Sequence, residues 1–202
     1  MSVRWTGRRT FPQWAGTVAH DRQAQLSPTE TPLHISAMAS TRQDLLARLD
    51  ELGIETTTVD HPAVFTVAES SVLEQQLPGG HTKNLFLKDK RDRLFLVVAL
   101  AHAHIDLKSL HKTLGCDRLS FGRAELLMEV LGVPPGSVTP FAVLNDPACR
   151  VTVVLDAGMI RHERLNFHPL ENTATTNIAR EDLLSFIRSC GHDPRIVGVA
   201  TA

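Results

Sequence analysis

Lys83 and Asn84 head the stretch "KNLFLKD", where an apolar, strand-forming run begins just after the glycine pair Gly79 and Gly80. An ammonium and an amide at the mouth of a core are costly unless each finds a hydrogen-bond partner, so such a pair marks a place to look for chemistry. Lysine supplies a compact charge with several rotatable donors, suited to a developing oxyanion, a phosphate or a sugar hydroxyl. A second stretch runs from Gly136 through Ser137, Val138 and Thr139 to Pro140. Its glycine lets backbone N–H groups approach a ligand closely, and its proline stiffens the path. In a third, "NFHPLENT", His168 precedes a proline, which makes its backbone extended. That imidazole can serve as a base, hold a substrate amine, or sit as a buried ring with its hydrogen bonds satisfied.

Other chemistries lose their anchors. The chain has no Gly-x-Gly-x-x-Gly, Walker loop, Gly-x-Ser-x-Gly elbow or His-Glu-x-x-His motif, which removes the usual basis for dinucleotide, P-loop, serine-hydrolase and zincin readings. Among its 10 histidines, His102 and His104 in "AHAHID" would share one face of a strand. No carboxylate or cysteine stands at ligand spacing around them, so no metal is expected. The three cysteines, Cys116, Cys149 and Cys190, are scattered singly, which argues against a disulfide framework and a thiolate zinc site and fits a reducing cytoplasm.

The elements that must position these residues follow from punctuation and periodicity. "STRQDLLARLDELG" carries a capping residue, an apolar stripe at Leu45, Leu46, Leu49 and Leu52, and Gly53 as a stop, which predicts a helix. "IETTTVDH" is β-branched and alternating, a strand that ends before Pro62. Thr66 and Glu69 form a capping box for a second helix over "TVAESSVLEQQL". "KNLFLKD", the tip "KRD" and "RLFLVVALA" predict a hairpin. "DLKSLHKTLG" and "RAELLMEVLG" predict two more helices. "GVPPGSVTPFAVLND" and "RVTVVLD" read as a glycine- and proline-rich loop feeding two strands, with "RLNFHPL" after them. A helix through "REDLLSFIRSCG" and a strand "RIVGVA" close the chain. This irregular interleaving around a hairpin predicts an α/β mixed sheet rather than a doubly wound parallel one.

With 202 residues, 43% of them hydrophobic and 21% charged, the chain suits one globular domain plus a tail. No apolar run reaches the roughly 18–20 residues that a membrane span needs. Residues 1–38 hold both tryptophans, Trp5 and Trp14, among arginines, prolines and threonines without periodicity. They are expected to be a disordered extension, or to precede a biological start at Met38, leaving 39–202 as the folded domain. The net charge of −1 excludes a globally basic nucleic-acid binder, yet between Lys83 and Lys112 seven cations face three carboxylates. Such a local patch is suited to a phosphate backbone, although hairpin tips and exposed helix faces are commonly charged.

Three stretches in order, "HTKNLFLKDK", "GVPPGSVTPFAVLND" and "NFHPLENTATTNI", together with the closing "GHDPRIVGV", resemble the YbaK/ProX family of aminoacyl-tRNA deacylases. Within it the chain is most similar to the free-standing editing proteins related to the insertion domain of prolyl-tRNA synthetase. The family's lysine at a strand start with an adjacent asparagine matches Lys83 and Asn84, and its Gly-x-x-x-Pro loop matches Gly136 to Pro140. His168, Pro169, Asn172 and Thr173 match the phrase of the branch that looks like alanyl-tRNA(Pro) deacylase. The resemblance covers about residues 40 to 200. It implies a YbaK-like α/β fold, with a mixed, curved, barrel-like sheet surrounded by helices. It also implies hydrolysis of alanine wrongly esterified to tRNA(Pro), sparing prolyl-tRNA(Pro), with no cofactor. Lys83 and His168 are the implied catalytic residues. Asn84, Gly136, Ser137, Val138, Thr139, Pro140, Asn172 and Thr173 are the implied substrate-binding set, the last two acting more as braces. The implied partner is the acceptor end of tRNA(Pro), with prolyl-tRNA synthetase or an elongation factor assisting a cytoplasmic monomer. Cysteine, serine or threonine esters remain rival substrates, and a non-catalytic tRNA-binding module remains a rival reading. Val64, Phe65, Leu85 and Phe141 are expected pocket walls from their nearness to the motifs.

Overall fold

The structure is a computed structural model that describes residues 39–63 and 77–200. The expected second helix, Val64, Phe65 and the N-terminal stretch lie outside the described residues.

Local signals account for most elements. Helix α1, Arg42–Glu51, starts at Thr41, whose hydroxyl and backbone N–H exchange hydrogen bonds with Asp44 in a reciprocal capping box. Strand β1 is Thr56–Asp60. The hairpin pairs β2, Gly80–Lys88, with β3, Leu94–Leu100. Its tip is organised by the buried carboxylate of Asp89, which accepts from the backbone N–H groups of Arg91 and Arg93 and from the Arg93 guanidinium. Helix α2, Leu107–Leu114, is capped by Asp106 and stopped by Gly115 at φ +67°. A two-residue strand β4, Ser120–Phe121, and helix α3, Ala124–Leu131, follow. Then come β5, Val151–Asp156, β6, Arg164–Phe167, β7, Ala174–Ala179, α4, Arg180–Ser189, and β8, Arg195–Val197.

Two expectations change. "PFAVLN" is a 3-10 helix, Pro140–Asn145, instead of a strand. The ring of Pro140 occupies the first turn, where no N–H is needed, and the Thr139 hydroxyl accepts from the Phe141 N–H at 3.3 Å, so local capping defeats the β-branched composition. Conversely β7, "ATTNIA", is a strand hidden within the third motif, and its β-branched run is the signal that was available.

The strands form one mixed sheet in the order β1-β7-β6-β2-β3-β5-β8, with β4 on β2. Parallel pairs are β2 with β6, β3 with β5 and β5 with β8; the others are antiparallel. The expected mixed sheet is therefore present, but β1 and β8 end the path unpaired to each other, so the sheet is open and not a closed barrel. Its larger core packs α1, α3 and α4 against one face, centred on Phe141, Phe167 and Phe186. The smaller core packs Leu110 and Leu114 of α2 against Leu87, Phe95, Val97 and Ala99 on the other. Among the described residues no helix is long and apolar enough to cross a membrane.

Candidate active site

Strand alternation separates the residues of the first motif. Lys83 pairs with Ala99, which belongs to the α2-side core, whereas Asn84 pairs with Val98, which belongs to the larger core. Paired residues share a face, so Lys83 and Asn84 look to opposite sides of β2. The Lys83 ammonium donates to the carbonyl of Ala103, in the turn after β3. With one of its three N–H donors held there, two remain to meet a ligand. The Asn84 Oδ1 is buried without a hydrogen-bond partner among the described residues, a cost that proteins seldom carry without a reason.

The glycine pair before Lys83 has a packing role. Gly79 adopts φ +117°, and a Cβ there would lie 2.4 Å from the Arg164 carbonyl oxygen. A Cβ on Gly80 would meet the methyl groups of Leu100 and Leu165 at 2.9 and 3.0 Å. These glycines let β2 approach β6. An amide network holds the approach: Asn166 Nδ2 donates to the Leu77 carbonyl at 3.1 Å, and Asn177 Nδ2 donates to Pro78 O at 2.9 Å and to Asn166 Oδ1 at 2.7 Å.

The β2–β6 ladder places the third motif beside the first. Its parallel register pairs Gly80 with Leu165 and His81 with Asn166, then stops. Lys83 lies two residues past the last paired residue of β2 and His168 two past that of β6, each on the same side of its strand as that paired residue. There the strands part company, β2 continuing with β3 and β4 while β6 continues with β7. A split between two strands, one continuing to an ammonium and the other to an imidazole, is a natural entry for a polar ligand.

His168 is half-buried, and its Nδ1 donates to the Ala174 carbonyl at 3.0 Å, which leaves Nε2 as the acceptor nitrogen of the neutral ring. Burial pushes its pKa below the usual histidine value, and the His61 ring, 6.1 Å away between centroids, adds to the decrease. His61 was absent from the expected site. Its Nδ1 donates to Pro62 O at 2.9 Å and its Nε2 lies 2.9 Å from the Thr175 hydroxyl, so β1, β6 and β7 converge on this pair of rings. The only sequence signal for it is another His-Pro dipeptide.

The loop after His168 is tightly held. Leu170 takes a positive φ of 67°, and its N–H donates to the His168 carbonyl at 3.0 Å. The Thr173 hydroxyl donates to Glu171 at 3.1 Å, and Glu171 also accepts from Arg42 of α1 at 3.1 Å. Gly136 sits beside this loop at φ +90°, where a Cβ would lie 3.7 Å from Asn172 Nδ2. The second and third motifs thus meet through Gly136 and Asn172. They meet again through the core, because Phe141 follows Pro140, Phe167 precedes His168, and the two rings pack edge to face at 5.7 Å. Ser137 and Thr139 are buried and serve the loop itself, Ser137 N–H donating to Pro134 O at 3.1 Å. Val138 is partly buried against the larger core. Phe141 is fully buried among Phe167 and Phe186, so it is a core residue and not the expected pocket wall; Leu85 is half-buried on the Lys83 face.

His102 and His104 are exposed and lie beyond the end of β3, not on it. No group of three or more His, Cys, Asp or Glu side chains among the described residues is placed to hold a metal ion.

One test follows from the His168 environment. A histidine with a depressed folded pKa holds fewer protons when folded than when unfolded, so its contribution to stability is complete above about pH 6.5 and declines as pH falls toward the folded value. Melting temperature should therefore drop from pH 7 to pH 5 more in the native protein than in His168→Asn. Equal slopes would show that the ring is not held neutral.

The residues at 61–186 match the family model of the aminoacyl-tRNA editing domain. A bovine relative, prolyl-tRNA synthetase associated domain-containing protein 1 from Bos taurus, is 41% identical over 166 residues, covering 80% of this chain and 96% of the relative. The prolyl-tRNA editing protein ProX of Acetoanaerobium sticklandii is 36% identical over 152 residues, covering 75% and 93%. A solved structure offered as a candidate trans-editing enzyme for prolyl tRNA synthetase superposes with a TM-score of 0.59 at 17% identity, covering 78% of this chain and 96% of that one, a likeness of fold. The open mixed sheet, the three motifs gathered about the end of the β2–β6 ladder and these matches lead to one conclusion: the chain belongs to the YbaK/ProX family of aminoacyl-tRNA editing domains.

Proposed function

We propose that this protein is a trans-editing hydrolase that removes alanine from mischarged alanyl-tRNA(Pro) and spares prolyl-tRNA(Pro). What supports this most is the β2–β6 ladder, beyond whose end Lys83 and His168 each follow two residues later. An aminoacyl ester is already activated, so a positioned water and a stabilised oxyanion suffice without a covalent nucleophile. In this reading two N–H groups of Lys83 face the carbonyl oxygen as it gains charge, while the third stays on Ala103 O. His168 Nε2 accepts from the substrate's α-ammonium and orients the ester, which is why a neutral ring is useful there. The Gly136 to Pro140 loop, resting on Asn172, receives the terminal adenosine or the aminoacyl group. The reaction needs neither metal nor cofactor, and the enzyme works as a cytoplasmic monomer that prolyl-tRNA synthetase or an elongation factor can supply.

Selectivity rests on size. A recess that admits a methyl group excludes the proline ring by overlap, whereas a smaller side chain is disfavoured by only about 1–3 kcal/mol per missing methylene. Alanine should be released at least a hundredfold faster than proline when the two esters of tRNA(Pro) are hydrolysed side by side. Faster release of cysteine, serine or threonine in the same panel would reassign the substrate. Binding of the tRNA without release of any amino acid would make the protein a non-catalytic module.

A further inference from the structure

We propose that the outer face of α2 and the segment from Arg118 to Phe121 form a docking track for the phosphate backbone of the RNA arm whose 3′ end enters the Lys83 cleft. The proposal rests on the functional reading above. Lys108 and Lys112 stand one turn apart on the exposed face of α2, while Leu110 and Leu114 on its opposite face pack on the sheet. Lys108 and Arg118, with Leu107 and Leu119, line one recess of about 320 Å³. Three cations of the neighbouring hairpin are neutralised: Lys88, Arg91 and Arg93 pair with Asp92, Asp117 and Asp89 at 2.6, 2.8 and 2.7 Å, while Lys90 at the tip stands alone among the described residues. Lys108, Lys112 and Arg118 have no such carboxylate among the described residues. The Asp106 carboxylate accepts from the Lys108 N–H at the helix start and attracts the Lys108 charge without closing an ion pair, and Asp117 is held by Arg91. Phe121 is 61% exposed and, through its pairing with Leu87, lies on the α2 side of the sheet. Unpaired cations around an exposed ring fit an RNA surface better than an apolar partner.

Position selects the occupant. The Ala103 carbonyl that holds the Lys83 ammonium lies three residues before the α2 cap, so the track begins at the cleft. The helix extends about 12 Å from there at 1.5 Å per residue. At about 3.4 Å of axis per phosphate on one strand, that length spans roughly three phosphates. An RNA with its 3′ end in the cleft would lay its next backbone segment along these side chains.

The test uses the full chain carrying Lys108→Gln, Lys112→Gln and Arg118→Gln together, with Lys90→Gln at the hairpin tip as a single-charge comparison outside the track. Substrates are alanyl-tRNA(Pro) and a short 3′-terminal oligonucleotide ester, and binding of uncharged tRNA(Pro) is read by fluorescence anisotropy across a salt series. The expected result is a KM for the intact tRNA raised at least tenfold with kcat retained. The salt slope of log Kd should become shallower by about 2–3, and the KM for the short ester should rise far less. A native-like KM and salt slope in the triple variant would overturn the track while leaving the hydrolase reading intact. Equal losses on both substrates, or equal losses with Lys90→Gln, would also overturn it. Salt-sensitive binding lost in the triple variant, from a native protein that hydrolyses no ester, would support the track and defeat the hydrolase reading. Native protein that neither binds nor hydrolyses would defeat both.

Discussion

Lys83→Ala is expected to lower the rate of alanyl ester hydrolysis by about 100–1,000-fold, the usual loss when a donor to a developing oxyanion is removed. The effect should appear in kcat, since the two free N–H groups of the ammonium matter most once charge builds on the carbonyl oxygen. The fold should persist. Lys83 is half-buried and makes a hydrogen bond to the Ala103 carbonyl, whose loss costs about 1 kcal/mol. Arginine should restore little, because a planar guanidinium cannot hold the same carbonyl and also present two converging donors to one oxygen. Single-turnover release of alanine from alanyl-tRNA(Pro), with the melting temperature as a check on folding, measures this. Near-native turnover in a folded Lys83→Ala protein would remove the lysine from the mechanism.

Phe141→Ala carries the largest expected effect on stability, a loss of about 3–5 kcal/mol, typical of truncating a fully buried phenylalanine. The ring is inaccessible to solvent and makes edge-to-face contacts with Phe167 and Phe186 at 5.7 and 5.5 Å. Such pairs contribute about 0.5–1.5 kcal/mol each beyond area burial. Activity should decline as well, for a reason of connectivity. Phe141 ties the end of the Gly136 to Pro140 loop to Phe167, the residue before His168, so the cavity left behind loosens both walls of the cleft. Urea titration gives the stability change, and a loss below about 1 kcal/mol would show that the three rings are not a cooperative unit. Phe141→Leu, which refills part of the volume, should recover a portion of both stability and turnover.

These two residues also show how legible the protein was before its structure. Lys83 stands out in the sequence because a charge at the start of an apolar strand violates binary patterning, and such violations cluster at functional sites. Phe141 was misjudged as a pocket wall because nearness along the chain to a loop motif does not tell which way a side chain turns. Pro140 and the Thr139 hydroxyl start a 3-10 turn there, which directs the ring into the core. Asn84 presents a related case. Adjacency to Lys83 suggested a joint role, whereas strand alternation sends the two to opposite faces of β2. The orphaned Asn84 Oδ1 therefore belongs to the larger-core side of β2, away from the Lys83 ammonium.

Sequence alone determined what depends on neighbours within a few residues. It identified a capped first helix with its Gly53 stop, the Asp106 cap with its Gly115 stop, the hairpin with its charged tip, the α/β mixed class and the three motifs in family order. Only the tertiary structure decided that the sheet stays open. It also decided that the Gly79 and Gly80 pair serves the approach of two strands, that His61 joins His168, and that the first and third motifs follow the two strands of one parallel ladder. The reason is that these outcomes depend on a parallel pairing between segments far apart in the chain. The Thr82 hydroxyl reaches the Asn166 carbonyl across 84 positions, and nothing local to either segment encodes that partner. Burial of the apolar faces and satisfaction of the Asn166 and Asn177 amides select it together, once the whole chain has folded.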